Sequence, residues 1–273
     1  MLRSGHAQYK VIRKIGGGGL GTVDEIEITH SNNSLAVGSH WACKRLNTAW
    51  KNHPEARARF EREIQALKNM SHSGIISYQA ENTADSNERC YVMPLYPSTV
   101  RHLIAGNPGG IAWNWVANFG ATVADAMLYA HQCGYKHRDL KPENILLDYN
   151  NNPIIADWGL GYFVHQHSKV LQQLTRGGMG TEYYCSLEQW STGKCEESGD
   201  VYSLGMTLAE MVTGRQTATT VGTGIRHDIA NAETLGAKMF NEIIQRMTWP
   251  LAQQRYQDMS TVAQFLRMAI GQG

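Results

Sequence analysis

The sequence lacks the features that mark several classes of protein. No run approaches the roughly 18 consecutive apolar residues of a membrane-spanning helix, so no membrane segment is predicted. Lysine and arginine (25) nearly balance aspartate and glutamate (24), and the formal net charge of +1 gives no electrostatic indication of a nucleic-acid or lipid partner. The apolar content of 42% is too high for a disordered chain. We therefore expect a soluble globular protein, built as one large domain or as two lobes.

Cysteine is scarce and shows no pairing pattern. The number is odd and no CxxC motif occurs, which predicts five free thiols in a reducing compartment. They stand at positions 43, 90, 133, 185 and 195. The first ten residues, MLRSGHAQYK, contain no apolar stretch after their basic residues, so a secretory signal is not expected. The predicted location is cytoplasmic.

The pattern of apolar residues changes near residue 97. Before it, short apolar or alternating runs bounded by turn-forming residues predict strands. These runs are Tyr9–Ile15, Thr22–Thr29, Trp41–Leu46, Ile75–Tyr78 and Cys90–Met93. One helix is predicted among them, over residues 54–70, from Pro54 near its start and apolar residues at helical spacing.

After residue 97, helical patterns dominate. The predicted helices are Trp113–Cys133, Val201–Val212, Leu235–Met247 and Thr261–Met268. A strand-rich front part followed by a helical back part predicts the α+β class with two lobes and a cleft between them.

A glycine run, Gly16–Gly19, with Gly21 shortly after it, lies between the first two predicted strands. Glycine lets backbone N–H groups approach a polyphosphate closely, but a plain flexible hairpin uses it as well. A dinucleotide-binding loop would open into a helix, whereas this chain continues as a strand. The run therefore predicts a strand, a glycine loop and a second strand.

Lys44 shares one strand face with two apolar residues, because alternate residues of a strand point to the same side. A lysine on an inward face needs a counter-charge, although on an edge strand it could instead reach solvent. Glu63 lies within the apolar stripe of the predicted helix, which makes it the candidate partner.

The stretch His137–Asn144 and the segment Asp157–Gly159 flank two short apolar runs separated by Asp-Tyr-Asn-Asn-Asn. The two runs predict a hairpin, and Asn144 and Asp157 are equidistant from its centre, so they are expected to meet at its open end. Carboxylate and amide oxygens are suited to Mg²⁺ carrying a nucleotide phosphate. Taken singly, Asp157 could be a turn former, Asn144 a cap and His137 a core histidine.

In this order, the motifs resemble those of the eukaryotic-like (Hanks-type) serine/threonine protein kinases, from about Tyr9 to Met268. The resemblance rests on the glycine loop, Ala42-Cys43-Lys44, Glu63, His137-Arg138-Asp139 with Lys141 and Asn144, Asp157-Trp158-Gly159, Gly180-Thr181, Ser186-Leu187-Glu188, Asp200 and Arg255. It implies a single bilobal kinase domain over 1–273, with an N-lobe at about 9–93, a hinge at 94–98 and a C-lobe at 99–268.

The resemblance also implies ATP and Mg²⁺ as cofactors, with Mn²⁺ as a possible substitute, and protein substrates. Asp139 would accept the proton of the substrate hydroxyl, and Lys141 would contact phosphate. Lys44, held by Glu63, would bind the α- and β-phosphates. Asn144 and Asp157 would bind the metal. The implied nucleotide-binding residues are Gly16, Gly18, Gly21, Val23, Ala42, Lys44, Met93, Leu95, Tyr96 and Leu146.

Two departures from the family pattern bear on the structure. Trp158 stands where phenylalanine is usual, and Ser186-Leu187-Glu188 stands where Ala-Pro-Glu is usual. Glu188 is retained, so its pairing with Arg255 is still expected.

Arg138 is the residue that the family uses to bind a phosphate on the activation segment. We predict autophosphorylation between Gly159 and Gly180, at Thr175 first and Ser168 second. The predicted activity is transfer of the γ-phosphoryl group to serine or threonine, with tyrosine acceptors not excluded. A small-molecule phosphotransferase of the antibiotic or choline type and a kinase-like scaffold are the alternatives.

Overall fold

The protein is represented by a computed structural model that describes residues 7–17, 20–31, 35–82, 88–158, 181–217 and 221–273. Contacts divide the chain into two compact units. The first contains the described residues up to Ser71 together with Ile76–Leu95, and the second contains His72–Ile75 and the described residues from Tyr96 onward.

The first unit is built on an antiparallel sheet of five strands in the order β1-β2-β3-β5-β4. The strands are β1 (Gln8–Gly17), β2 (Gly21–His30), β3 (His40–Leu46), β4 (Ala80–Glu81) and β5 (Cys90–Met93). β1 and β2 pair antiparallel, with Gly17 ending the first strand and Gly21 beginning the second, which confirms the two predicted strands on either side of the glycine run. Gly18 and Gly19 lie outside the described residues.

The two faces of this sheet are chemically different, as the alternation of side chains along a strand requires. One face carries an apolar cluster that includes Ile26, Ile28, Cys43 and Val92, with Tyr9 and Trp41 among the residues packed against it. Lys44 belongs to the opposite face. All five cysteines are free thiols, as predicted.

Helix α1 (Pro54–Asn69) ends within one residue of the predicted span. Pro54 fits the first turn because that turn's N–H groups have no partner within the helix. The buried stripe contains Phe60, Ile64 and Leu67, and Glu63 is buried with them. The apolar spacing therefore identified both the helix and its inward face.

The predicted strand Ile75–Tyr78 is wrong. Ile75 forms only an isolated parallel bridge with Ile155, and its N–H donates to the carbonyl oxygen of His72 in a turn. Ile75 and Ile76 are buried although they lie outside any ladder. A short apolar run reports burial, and burial alone does not establish strand pairing.

The second unit is mainly helical and contains a small antiparallel sheet of three strands in the order β6-β7-β8. Its elements are β6 (Ser98–Thr99), α2 (Val100–Ala105), α3 (Trp113–Gln132), β7 (Ile145–Leu147), β8 (Pro153–Ile155), α4 (Leu187–Thr192), α5 (Glu197–Thr213), α6 (Leu235–Met247) and α7 (Met259–Ile270). Short 3-10 helices cover Thr48–Trp50 in the first unit and Pro142–Asn144, Thr181–Tyr184 and Ala252–Gln254 in the second.

Helix α5 is the central element of this unit, because every residue from Ser198 to Met211 is buried. It begins at Glu197, earlier than the predicted Val201, since its first turn is acidic rather than apolar. Helix α7 likewise begins at Met259 because the Asp258 side chain accepts a hydrogen bond from the N–H of Thr261. The four predicted helices are confirmed with these shifts at their ends, and so is the α+β class.

In the described part of the chain, no helix has both the length and the apolar character that crossing a membrane requires.

Candidate active site

Lys44 and Glu63 form a buried ion pair in the first unit. Lys44 lies in β3, opposite Val23 of β2 and Tyr91 of β5, while Glu63 lies on α1. Lys44 Nζ donates to Glu63 Oε1 at 2.6 Å, and the Glu63 side chain is fully buried. Two charges that would each be unfavourable alone in this core compensate one another. The predicted ion pair is present.

A third residue, which no sequence motif indicated, joins this pair. The hydroxyl of Tyr91 donates to the same oxygen of Glu63, Oε1, at 2.8 Å. The strand register contains the signal that could have found it, because Tyr91 is the direct cross-strand partner of Lys44.

The backbone of β3 approaches Gly21 closely, which explains why glycine is needed at this position. A Cβ at Gly21 would lie 2.7 Å from the carbonyl oxygen of Arg45 in β3, so no larger residue fits there without backbone movement. A Cβ at Gly16 would find its nearest heavy atom, Cβ of Val23, at 3.8 Å, so packing does not require glycine there. Gly18 lies outside the described residues.

The other predicted nucleotide-binding residues take definite places in each unit. Ala42 and Met93 are cross-strand partners in β3 and β5, and both are buried. Leu95 is the last described residue of the first unit, the second unit continues at Tyr96, and both residues are half-buried. Leu146 is a half-buried residue of β7 in the second unit.

Asp139, Lys141 and Asn144 form one cluster in the second unit. Lys141 Nζ lies 2.9 Å from Asp139 Oδ2, and Asn144 Nδ2 donates to the Asp139 backbone oxygen at 2.8 Å and to Oδ2 at 3.1 Å. The Asp139 side chain is 26% exposed, so it remains accessible while its orientation is fixed. A carboxylate held by an ammonium group and an amide is suited to receive a proton at a defined position.

The charge of Lys141 is maintained by its neighbours. Burial by itself would lower the pKa of this ammonium group, but the negative charges of Asp139, Asp157 and Glu143 outweigh burial and raise the pKa above its usual value. Lys141 is therefore a cation at neutral pH.

The hairpin of β7 and β8 brings Asn144 to the residue that precedes Asp157. Ile145 pairs with Ile155, and the N–H of Ala156 donates to the carbonyl oxygen of Asn144 at 2.9 Å, so Asp157 follows at the open end as predicted. The amide nitrogen of Asn144 is used by Asp139, which leaves its amide oxygen as the atom for a cation. Amide and carboxylate oxygens are the hard ligands that Mg²⁺ prefers, so Asn144 and Asp157 are chemically suited to hold it.

Backbone strain marks this segment. Arg138 and Asp157 have φ values of 65° and 62°, in the left-handed region that non-glycine residues rarely adopt. The carboxylate of Asp200, fully buried in α5, accepts the N–H of Arg138 at 2.8 Å and the N–H of His137 at 2.9 Å. It also contacts His131 Nε2 at 2.8 Å.

Asp200 is held as an anion by these donors. Burial would raise its pKa, but the hydrogen bond from His131 and the nearby positive charge lower the pKa below its usual value. The sequence motif included Asp200 but gave no indication that His131, at the end of α3, would be its third donor.

The ring of His137 links the segment to Trp158. Its Nε2 donates to the carbonyl oxygen of Ala156 at 2.9 Å, so Nδ1 accepts the N–H of Asp139 at 3.3 Å. The rings of His137 and Trp158 meet edge to face at 4.8 Å, and the indole N–H donates to the carbonyl oxygen of Ile155 at 3.2 Å. The larger indole is therefore fully accommodated. Gly159 lies outside the described residues.

Glu188 and Arg255 form the expected ion pair. Arg255 Nη1 and Nη2 lie 2.6 Å and 2.9 Å from the two carboxylate oxygens of Glu188, which is the bidentate geometry that favours arginine. Burial would raise the pKa of Glu188, but the Arg255 guanidinium holds that pKa below its usual value.

A second arginine cluster was not predicted. Arg101 of α2 contacts Glu143 at 2.7 Å, Glu210 of α5 at 2.5 Å and the Tyr184 hydroxyl at 2.8 Å. Glu143 immediately precedes Asn144, so this cluster also fixes the position of the segment that carries Asp139.

Comparison with known proteins places this geometry in context. The family model described as the protein kinase domain matches residues 9–268. The serine/threonine-protein kinase PrkC of Bacillus subtilis is 29% identical over 86% of this chain, and the probable serine/threonine-protein kinase PknB of Lactococcus lactis is 28% identical over 87%. The match covers 35% of each of these relatives, so the chain spans about a third of their length. The solved PknI kinase domain of Mycobacterium tuberculosis superposes with a TM-score of 0.71 at 20% identity, covering 99% of this chain and 100% of that one, which shows the fold.

Proposed function

Because the chain belongs to the protein kinase domain family, we propose that it transfers the γ-phosphoryl group of ATP to serine and threonine hydroxyls of proteins. The proposed domain is single and spans 1–273, with an N-lobe at about 9–93, a hinge at 94–98 and a C-lobe at 99–268. Its partners are ATP and protein substrates rather than nucleic acid or membrane. The five free thiols support a cytoplasmic location.

The observation that carries the proposal is the cluster of Asp139, Lys141 and Asn144. Asp139 orients the acceptor hydroxyl and takes its proton, and Lys141, 2.9 Å away, neutralises charge on the transferring phosphoryl group. Such transfer depends on positioning and charge neutralisation more than on a strong base, which agrees with a partly exposed carboxylate held by two neighbours.

Mg²⁺, or Mn²⁺ in its place, would be held by Asn144 and Asp157 and would neutralise phosphate charge when bound. Lys44, positioned by Glu63, binds the α- and β-phosphates in this proposal. The adenine and phosphate contacts are assigned to Gly16, Gly18, Gly21, Val23, Ala42, Met93, Leu95, Tyr96 and Leu146.

Two arginine residues, through their ion pairs, favour a protein acceptor over a small molecule. Arg255 with Glu188 supports the segment that follows Thr181, and Arg101 with Glu143 and Glu210 supports the Tyr184 hydroxyl in the same segment. A segment that is fixed from both sides offers an ordered surface for an extended peptide.

The decisive assay supplies labelled Mg-ATP with three classes of acceptor: a degenerate serine/threonine peptide library, a tyrosine peptide library, and the small molecules choline and kanamycin. We expect label on serine and threonine peptides only. Transfer to the small molecules alone would establish the alternative phosphotransferase, and nucleotide binding without any transfer would establish a scaffold.

Autophosphorylation is a separate prediction. After incubation with Mg-ATP, we expect phosphate on Thr175 and, to a lesser extent, on Ser168, both of which lie outside the described residues. Arg138, whose N–H is fixed by Asp200, is the proposed partner of that phosphate. Mass spectrometry of the segment 160–180 measures it, and a fully active protein without phosphate there would contradict the prediction.

A further inference from the structure

The hydroxyl of Tyr91 has no role in the function proposed so far. We propose that Tyr91 is a positioning residue that holds Glu63, and through it Lys44, in the geometry that binds the nucleotide phosphates. The inference rests on the proposed function and extends it to a residue outside the motifs.

The strand register brings the three groups together. Lys44 and Tyr91 are direct partners across β3 and β5, so their side chains leave the sheet on the same face. Both donate to Oε1 of Glu63, at 2.6 Å from Nζ and at 2.8 Å from the phenol oxygen. One carboxylate oxygen is thus fixed by two donors from neighbouring strands.

The two donors differ in stiffness. Lysine has a long, flexible side chain, and an ion pair between a lysine and a glutamate alone permits many arrangements. Tyr91 has two side-chain torsions and is only 1% exposed. Its ring packs against that of Phe60 at a centroid distance of 5.6 Å, and Phe60 precedes Glu63 by one turn of α1. The Tyr91 side chain is therefore rigid, and it contacts α1 both through Phe60 and through the Glu63 carboxylate.

This arrangement has a consequence for nucleotide binding. A hydrogen bond from a neutral hydroxyl to a buried carboxylate is charge-assisted and adds no net charge. This hydrogen bond holds the Glu63 carboxylate close enough to the sheet for Lys44 to bind it. The lysine is therefore oriented before ATP binds. Preorganisation of this kind increases affinity because less freedom is lost on binding.

A simple structural role would have a different signature. If the ring alone mattered, by filling space under α1, then removal of the hydroxyl would leave nucleotide affinity unchanged. If the hydroxyl mattered only for stability, its loss would lower the melting temperature and the active fraction without a change specific to ATP.

The test is Tyr91→Phe, which keeps the ring and removes one oxygen, with Tyr256→Phe as the matched control. Tyr256 is a largely buried tyrosine of the second unit that packs against Phe265. Calorimetry measures the Kd of Mg-AMP-PNP, and steady-state kinetics measure kcat/KM for ATP and KM for a peptide acceptor. For Tyr91→Phe we expect an increase in Kd and a decrease in kcat/KM for ATP of about tenfold each. The peptide KM should not change, and Tyr256→Phe should resemble the wild type.

A double-mutant cycle with Glu63→Gln shows whether the hydroxyl acts through Glu63. In the Glu63→Gln background, Tyr91→Phe should change nucleotide affinity by less than about twofold. Equal effects in both backgrounds, or wild-type affinity in Tyr91→Phe alone, would overturn the inference. If the wild type binds nucleotide without transferring phosphate, the proposed function fails, but the ratio of the Kd of Tyr91→Phe to that of the wild type still tests the role of Tyr91. If the wild type binds no nucleotide, both proposals fail.

Discussion

Replacing Asp139 with asparagine should leave a folded, nucleotide-binding protein that phosphorylates peptides about 10²–10⁴ times more slowly. Asparagine has nearly the same shape but cannot take a proton from the acceptor hydroxyl. It also removes the negative charge that Lys141 Nζ meets at 2.9 Å, so the lysine loses its counter-charge. Because Asp139 is proposed to act on the acceptor, the Kd of Mg-AMP-PNP should change little.

The matched control for this prediction is Asp228→Asn. Asp228 is an exposed aspartate of the same unit, whose carboxylate accepts a hydrogen bond from Gln245 at 3.1 Å. Initial rates with labelled ATP and a serine peptide, together with melting temperatures, are measured for both variants. Wild-type transfer by Asp139→Asn would rule out the proposed role of this carboxylate. A large fall in its melting temperature would instead indicate that Asp139 is needed for folding.

The sequence predicted most of the fold because periodicity reports burial directly. Helix α6 was predicted at its observed bounds, Leu235–Met247, since its apolar residues recur at helical spacing and the helix begins and ends where that pattern does. The failure at Ile75–Tyr78 has the same origin, because Ile75 and Ile76 are buried although the N–H of Ile75 donates within a turn, to the carbonyl oxygen of His72. Periodicity identifies the buried face but not the hydrogen-bond partner.

The candidate site was predicted to the extent that its residues lie in contiguous motifs. Asp139, Lys141 and Asn144 are close in the chain, so a motif identifies them and local geometry brings them together. Tyr91, Arg101 and His131 were missed because their partners are distant in sequence: Tyr91 meets Glu63 only through strand register, and His131 meets Asp200 only through packing of α3. Such contacts require the three-dimensional structure.

Replacing Asp200 with asparagine should reduce both stability and catalysis. The carboxylate accepts three donors, from His131, His137 and Arg138, in a fully buried position. Asparagine offers one acceptor oxygen and brings an NH₂ group among those donors. Disruption of a buried charged network of this kind typically costs about 3–5 kcal/mol. For a chain of this size that corresponds to a fall in melting temperature of roughly 10 °C.

The difference in unfolding free energy between the wild type and Asp200→Asn should also depend on pH. Because the folded pKa of Asp200 is lowered, its carboxylate stabilises the fold above the ordinary aspartate range, and this contribution is lost as the pH falls through the folded pKa. The advantage of the wild type over Asp200→Asn should therefore be constant near neutrality and shrink below about pH 4. Chemical denaturation at several pH values measures it.

The catalytic effect of Asp200→Asn follows from the strain at Arg138. A non-glycine residue at φ 65° costs on the order of 1–3 kcal/mol, and Asp200 offsets this by binding the Arg138 N–H. When that bond is weakened, the backbone relaxes and displaces Asp139, the next residue, and a displacement near 1 Å can reduce the rate about 10²-fold.

Glycine adopts the same backbone angle freely, so adding Arg138→Gly to Asp200→Asn should restore part of the melting temperature. The surface variant Asp125→Asn, which breaks an exposed ion pair with Arg267, should shift the melting temperature by no more than about 2 °C. If Arg138→Gly destabilises the wild type and Asp200→Asn equally, Asp200 does not act through this strained backbone.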